Sequence, residues 1–450
     1  MKYITWLHLD CGLSQEKCRR ARDQVVHILE ETLKKNQEKC TFTNSIPRDI
    51  RTTFKKLNLE VAFEQYVCCS NCFSLYDAEL APEECGYQVS LATQPCGADL
   101  FHPHRIVQRD QIDIFKKVLK PQRPRWVHGQ ILLRHTPRPR IPKSTFITQS
   151  LTDWLKWFLN VSDVEEIIET WQHQLEFQPQ EPILDVAQGP MWSTLFPKET
   201  IHHRWHLGFS LFIDWYNPLQ NKLAGRQVSM GLIALNCLNL PPRLRYQTKY
   251  TFLSGIIPGP KQPNMVTINN ILKPLVNELL ELSRGITICT PKYPRGRKVV
   301  VKLASLIGDV VATHKAGGFM SHSAKCFCNW CEIESSERRD LKLGRQRHGL
   351  EVRNLSYKYY ELESQAKKKS LAKKTGVRWS EFNRLPYWDP VLNITLGVMH
   401  NWFEGILQHH FKDRWGFAWK NERSLPSSSS NSESDAEEMD WTGIECQKKG

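Results

Sequence analysis

Residues 208–218, Gly-Phe-Ser-Leu-Phe-Ile-Asp-Trp-Tyr-Asn-Pro, constrain the fold of this chain more than any other stretch. An apolar run of this length, closed by Asn217 and Pro218, predicts a strand buried on both faces. One carboxylate, Asp214, lies inside the run. A charge in such a place is costly unless something compensates it, and a bound cation is a common partner. The other reading is a carboxylate at the strand end that caps the following turn. On this stretch alone both readings stay open.

Three more runs rich in Ile, Leu and Val are bounded by Pro or Gly, as strands are. They cover 227–239, closed by Pro241-Pro242; 249–257, closed by Pro258-Gly259-Pro260; and 298–307, ending at Gly308-Asp309. A helix is predicted at 264–283, where Ile268, Leu272, Leu275, Leu279 and Leu282 share one face and Pro274 introduces a bend. The order is three strands, a helix, then a strand with a carboxylate at its end, which places the domain in the α/β class. Upstream, a helix is expected at 14–36 with Ser14 as N-cap and Val26, Leu29 and Leu33 on one face. Two shorter helices are expected at 149–160 and 163–176. The second carries a capping box of Ser162 and Glu165, and Trp154, Trp157 and Phe158 on the first are expected in the core.

At 450 residues the chain has room for two or three domains. Its 61 Lys and Arg against 47 Asp and Glu give a net charge of +14. Residues 421–450 hold seven acids and three bases, so the first 420 residues carry +18. A basic body with arginine and lysine among tryptophan and tyrosine suggests a polyanionic partner, most often nucleic acid. Residues 332–378 are polar and basic, densest at Lys367-Lys368-Lys369 and Lys373-Lys374. Such a stretch reads as a solvated helix face, a nuclear import signal or a phosphate-contacting patch. No apolar stretch reaches membrane-spanning length, and no secretory signal is apparent, since Asp10 interrupts the N-terminal apolar stretch. A soluble protein of a reducing compartment, the nucleus, is the expectation.

The fourteen cysteines are unevenly placed. Cys69 and Cys72 form a tight pair, followed by Cys85 and Cys96, a pattern that suits a structural tetrahedral zinc site, with Cys68 as a spare thiol. Unligated buried cysteines are the alternative. A second set, His322, Cys326, Cys328 and Cys331, also has zinc-knuckle spacing, with Cys326 or His314 as the fourth ligand, and lies just after Asp309. Asp214 and Asp309 are a different kind of pair. If their strands are neighbours they suit Mg²⁺ or Mn²⁺, hard cations that bind phosphates, and two such ions about 3.5–4 Å apart serve in-line phosphodiester attack. His400, in Val-Met-His-Asn, is a candidate phosphate or metal-water contact, although a lone histidine is more often structural.

Phe-Ser-Leu-Phe-Ile-Asp-Trp-Tyr-Asn-Pro, Leu-Asn-Leu-Pro-Pro-Arg-Leu-Arg-Tyr, Gly-Ile-Ile-Pro-Gly-Pro-Lys, Ser-His-Ser-Ala-Lys-Cys-Phe-Cys-Asn-Trp-Cys and Val-Met-His-Asn-Trp-Phe-Glu-Gly resemble, in this order, the transposases of fungal (basidiomycete-type) CACTA, or En/Spm-like, DNA transposons. The likeness runs from about residue 60 to 417. It implies a ribonuclease-H-like catalytic domain with a DDE triad, whose first acid would be Asp214 and second Asp309. It also implies DNA as partner, at transposon ends and target, with room for a homo-oligomer. Two departures stand out. Relatives carry an aspartate where this chain has Gly397, and the third acid is expected on a later helix, whereas Glu404 is the last acid in a motif. A truncated or decayed copy would account for both.

The organisation expected from these readings is an N-terminal helical segment at 1–60, a Cys-rich zinc-binding region at 61–120, a Pro/Arg-rich linker at 121–148 and a helical region at 149–205. A ribonuclease-H-like domain follows at 206–420, with a zinc-knuckle and basic insertion at about 310–380, and then a disordered acidic, Ser-rich tail at 421–450. Two function classes follow: a transposase that cleaves and transfers strands with divalent metal, or a catalytically dead DNA-binding or interaction protein derived from one. An unrelated zinc-ribbon enzyme is disfavoured by the lack of a nucleotide or phosphate loop.

Overall fold

The structure is a computed structural model that describes residues 1–9, 11–35, 47–57, 62–90, 92–103, 140–177, 183–197, 204–218, 228–340 and 343–417. Residues 121–139 of the expected linker and the tail at 421–450 lie outside the described residues. The chain divides into two units, Met1–Gly397 and Val398–Gly450.

The first unit is mixed α/β and, among the described residues, is built on a nine-stranded sheet. Its strands are β1 (Glu64–Cys68), β2 (Leu75–Asp77), β3 (Thr145–Thr148), β4 (Trp205–Tyr216), β5 (Met230–Cys237), β6 (Thr251–Ile257), β7 (Ile286–Ile288), β8 (Arg297–Gly308) and β9 (Ile394–Leu396). They lie in the order β2-β1-β3-β6-β5-β4-β8-β7, with β9 also on β8. β4, β5 and β6 are antiparallel neighbours, whereas β8 runs parallel to β4, and β9 parallel to β8. The Cys-rich stretch thus shares the sheet, because β1 pairs with β3 and β3 with β6.

Helices α1 (Lys2–Leu9), α2 (Gln15–Lys35) and α3 (Ile50–Lys56) gather at the N-terminus around Ile4, Cys18 and Ile50. α4 (Leu151–Leu159) and α5 (Val164–Glu176) follow β3. The start of α4 is capped from a distance: Glu278 accepts the Ser150 hydroxyl at 2.7 Å and the backbone N–H groups of Leu151 and Thr152 at 2.8 and 2.7 Å. The predicted capping box of α5 does not form. Asp163 is its N-cap, at φ +69° and without a side-chain cap bond, and Glu165 instead pairs with Arg297 at 2.8 Å. Trp157 is the other correction: it is exposed, while Phe158 is buried and Trp154 stacks on it at 4.5 Å.

The remaining helices of this unit are α6 (Pro190–Leu195), α7 (Pro242–Arg245), α8 (Ile268–Arg284), α9 (Val310–Gly317), α10 (Gly349–Glu361) and α11 (Gln365–Thr375). Leu151, Leu155 and Phe158 of α4 and Ile271, Leu275, Leu279 and Leu282 of α8 share one core with Leu207, Phe209, Leu211 and Ile213 of β4. On the opposite face of β4, Trp192 and Phe196 lie under Gly208, where a Cβ would meet the Trp192 ring at 2.7 Å. Asp185 and Arg245 form a buried ion pair at 2.5 Å. Breaking a pair of this kind costs about 3–5 kcal/mol, since it leaves a buried charge uncompensated.

In the second unit, Met399–Leu407 and His410–Arg414 wind as π-helical turns. Trp402, Phe403, Ile406 and Phe411 on these turns are exposed.

Candidate active site and metal centre

β4 is buried through Ile213, and the burial then stops: Asp214 is exposed. The expectation of a carboxylate sealed inside a two-sided strand is therefore corrected. Trp192 and Phe196 pack near Gly208 on that face, while further along the strand Phe212 and the cross-strand partner of Asp214, Leu232, are only half-buried. One oxygen, Oδ1, accepts the Trp215 N–H at 2.8 Å.

Asp309 follows β8 with extended backbone, φ −68° and ψ 169°, and is the N-cap of α9. Its Oδ1 accepts the Ala312 N–H at 2.5 Å, and its carbonyl accepts the Thr313 hydroxyl at 2.7 Å. The parallel register of β4 and β8 ends at the pair Phe212–Ile307. Continued by two positions, that register would bring Asp214 and Asp309 to adjacent places at the ends of neighbouring strands, which lie about 4.8 Å apart.

That placement depends on an irregularity. Phe209 pairs with Leu303 but Ser210 pairs with Ser305, so Ala304 is an extra residue in β8. A one-residue shift turns every later side chain to the other face. If Ala304 were instead paired in the ladder with Ser210, the same count would carry Asp309 to the level of Trp215. Asn393, which is buried, holds the bulge: its Nδ2 donates to the Ala304 carbonyl at 2.5 Å, and its own carbonyl accepts the Leu306 N–H at 2.8 Å.

A buried lysine lies on the other side of the strand end. The ammonium of Lys315 sits 4.3 Å from the centroid of the Trp215 ring and donates to Gln262 Oε1 at 3.1 Å. Burial pulls its pKa down, and the charge of Asp309 partly offsets this. Sequence reasoning passes over Lys315. A single cation among Ala312, Ala316 and Gly317, six positions after a candidate acid, is the signal that could have found it.

His400 and Glu404 belong to the second unit and bond to each other, Nδ1 to Oε2, at 2.9 Å.

Cys69, Cys72, Cys85 and Cys96 converge. Their sulfurs all lie within 4.8 Å of one another, the one such group of three or more metal-ligating side chains among the described residues. Sulfur separations of 3.8 Å (Cys69 to Cys96) and 3.4 Å (Cys72 to Cys85) approach the edge of about 3.8 Å expected for a tetrahedron with Zn–S near 2.3 Å. Four soft donors in a closed site fit zinc in a structural role. A hydrogen bond from the Cys72 thiol, together with backbone N–H groups, holds Cys69 well below the ordinary thiol range, and the same bond with burial pushes Cys72 up. Tyr76 Oη lies 3.2 Å from the Cys85 sulfur, and Asn270 of α8 donates to the Cys72 carbonyl at 2.9 Å, tying the knuckle to the main core. Cys68 stays outside the group; burial raises its thiol to about 12.

The second set does not converge in this way. Cys328 forms half a knuckle, its sulfur accepting the N–H groups of Trp330 and Cys331 at 3.4 Å each. Cys326 turns its thiol to the Lys374 carbonyl at 3.5 Å. The His322 carbonyl takes a bond from Arg338, and His314 is buried with Nδ1 2.8 Å from the Met320 carbonyl. Arg347, also buried, holds the Cys328 and Cys331 carbonyls at 3.0 and 3.2 Å.

Residues 191–370 match the family described as Transposase family tnp2. This stretch, which contains Asp214, Asp309 and the second Cys/His set, is thus similar to a transposase family. No curated protein matches the chain. Among the described residues no helix is long and apolar enough to cross a membrane.

Proposed function

We propose that the Met1–Gly397 unit is the body of a DNA transposase of the CACTA (En/Spm-like) kind, which uses divalent metal to cut strands at transposon ends and join them to a target in the nucleus. The observation that carries the reading is the parallel pairing of β4 and β8, whose last pair, Phe212–Ile307, stands two positions before Asp214 and Asp309, within the stretch that matches a transposase family. The resemblance implies a ribonuclease-H-like order of three antiparallel strands, a helix and a parallel strand, and the run of β4, β5, β6, α8 and β8 supports that reading. β7, between α8 and β8, is an addition to that order.

In this reading Asp214 and Asp309 hold Mg²⁺ or Mn²⁺, and their hard, adjacent oxygens suit such ions. When bound, the metal neutralises phosphate charge and eases deprotonation of the attacking hydroxyl. The first step is hydrolysis of a phosphodiester to leave a 3′-hydroxyl; in the second, that hydroxyl attacks a target phosphodiester and releases its 3′-oxygen. Asp309 is held in place by its bond to the Ala312 N–H, and the Lys315 ammonium is held against Trp215 by its bond to Gln262. His400 and Glu404, in the second unit, are candidates on the resemblance alone. Cys69, Cys72, Cys85 and Cys96 hold a structural zinc, and His322, Cys326, Cys328 and Cys331 are candidates for a second that closes only on binding.

A second reading, a cut-dead DNA-binding protein, is favoured by one observation: the Asp309 carboxylate is already used as a helix cap. Metal-dependent cutting of the DNA that flanks this reading frame separates the two. Cutting lost in Asp214→Ala supports the transposase; salt-sensitive binding with no cutting supports the second reading.

A further inference from the structure

We infer that the outward face of α11 is a docking surface for the phosphate backbone of duplex DNA, formed by Lys367, Lys369, Lys373 and Lys374. The inference rests on the DNA-binding part of the reading above but not on cleavage. All four lysines are exposed, whereas the fifth lysine of the helix, Lys368, is buried, with its ammonium 5.5 Å from the Tyr359 ring centroid. The densest basic run of the sequence is thus divided by the fold into an outward set of four and one inward anchor. Gln365–Thr375 contains no acid, and none of the four lysines forms an ion pair among the described residues.

The helix is also firmly mounted, which separates a docking surface from a solvated face. Ala372 packs with Tyr359 and Trp379. Ser364 caps the first turn by accepting the Lys367 N–H, and Gly376 ends the helix at φ +76°. At that end the Lys374 carbonyl receives the Cys326 thiol at 3.5 Å, and Met320 donates its N–H to the Gly376 carbonyl at 2.9 Å. The stretch around the second Cys/His set therefore supports the base of the lysine face. A helix rises about 1.5 Å per residue, so Lys367 and Lys374 lie roughly 10 Å apart along the axis, a reach of about three nucleotides of one strand at about 3.4 Å of duplex axis each. A short import signal is the rival use of such lysines, but a helix anchored by Lys368 and Ala372 offers rigid, spaced charges, which favours a regular polyanion.

The test uses the full chain carrying Asp214→Asn, with binding to a fluorescent random-sequence duplex measured by anisotropy between 50 and 200 mM salt, a range over which phosphate neutralisation governs affinity. Replacing all four outward lysines by glutamine is expected to weaken binding and to make the slope of log affinity against log salt shallower by about 0.9 for each phosphate no longer neutralised, so by up to about 3.6. The half-sets K367Q/K369Q and K373Q/K374Q should each give part of the change, which keeps the test valid if the quadruple variant folds poorly. Lys368→Met should leave the slope unaltered. A wild-type slope in the quadruple variant and both half-sets would overturn the inference, and if those variants lost only nuclear accumulation the face would be an import signal. A lowered slope alongside a wild-type chain that never cuts DNA would uphold this surface while the cleavage reading fails. An unchanged slope in a chain that cuts would reject the surface alone.

Discussion

Asn393 holds the bulge at Ala304: its Nδ2 donates to the Ala304 carbonyl at 2.5 Å, and past that bulge the β4–β8 ladder resumes one residue on, at Ser210–Ser305. The ladder's last pair, Phe212–Ile307, stands two positions before Asp214 and Asp309 on their strands.

Asn393→Ala should therefore damage the site more than the fold. Removing the amide leaves the Ala304 carbonyl without its donor and the Asp389 N–H without its acceptor. The expected loss is about 1–3 kcal/mol in urea unfolding, the usual penalty for buried polar groups left unpaired. Metal-dependent cutting should fall by a larger factor than that stability loss explains, with affinity for DNA retained. Equal loss of cutting and of DNA affinity would argue that Asn393 serves the fold alone.

The four-thiol group predicts one tightly held zinc. Cys72→Ser should abolish it, whereas Cys68→Ser should keep full zinc content, because Cys68 lies outside the cluster. Metal analysis after purification reads both. Strong chelators should also lower the unfolding midpoint, since binding to a preformed site stabilises the folded state. Zinc lost equally in both variants would contradict the assignment.

His206 gives the stability a pH dependence of known sign. Burial, with the charges of Lys302 and Arg204 adding, holds its imidazole below the ordinary 6.5 in the folded protein. As pH falls through 6.5 the unfolded chain takes up a proton that the folded chain does not, so stability is fully present above that value and declines below it. His206→Gln should shrink the difference in unfolding free energy between about pH 7.5 and 5.5. A variant with the same pH dependence as the parent would show that other groups carry it.

Much of the architecture was legible because it is written in local pattern. The apolar runs closed by Pro and Gly became β4, β5, β6 and β8, and the three-and-four spacing from Ile268 to Leu282 became α8. The tight Cys69–Cys72 pair also declared itself, because a knuckle is a local structure. What local pattern could not carry was set by neighbours distant in the chain. The run around Asp214 is apolar, yet its carboxylate is exposed where the neighbours Phe212 and Leu232 are only half-buried. The Ser162 box failed because Arg297, from β8, takes Glu165. Lys368 looked like its neighbours until the fold turned it onto Tyr359. The bulge at Ala304 has no signature in a run of Val, Leu and Ala, because it exists only in relation to β4.

The central claim, that Asp214 and Asp309 form one divalent-metal site for DNA cutting, is tested most directly by a strand-cleavage assay. Duplex DNA from the flanks of this reading frame is incubated with Mn²⁺ and the wild type, Asp214→Asn or Asp309→Asn. The account predicts Mn²⁺-dependent nicking by the wild type and a loss of at least about a hundredfold in each variant, the scale of removing a group that stabilises transition-state charge, with DNA binding preserved. Variants that cut like the wild type, or a wild type that binds the DNA and never cuts it, would contradict it.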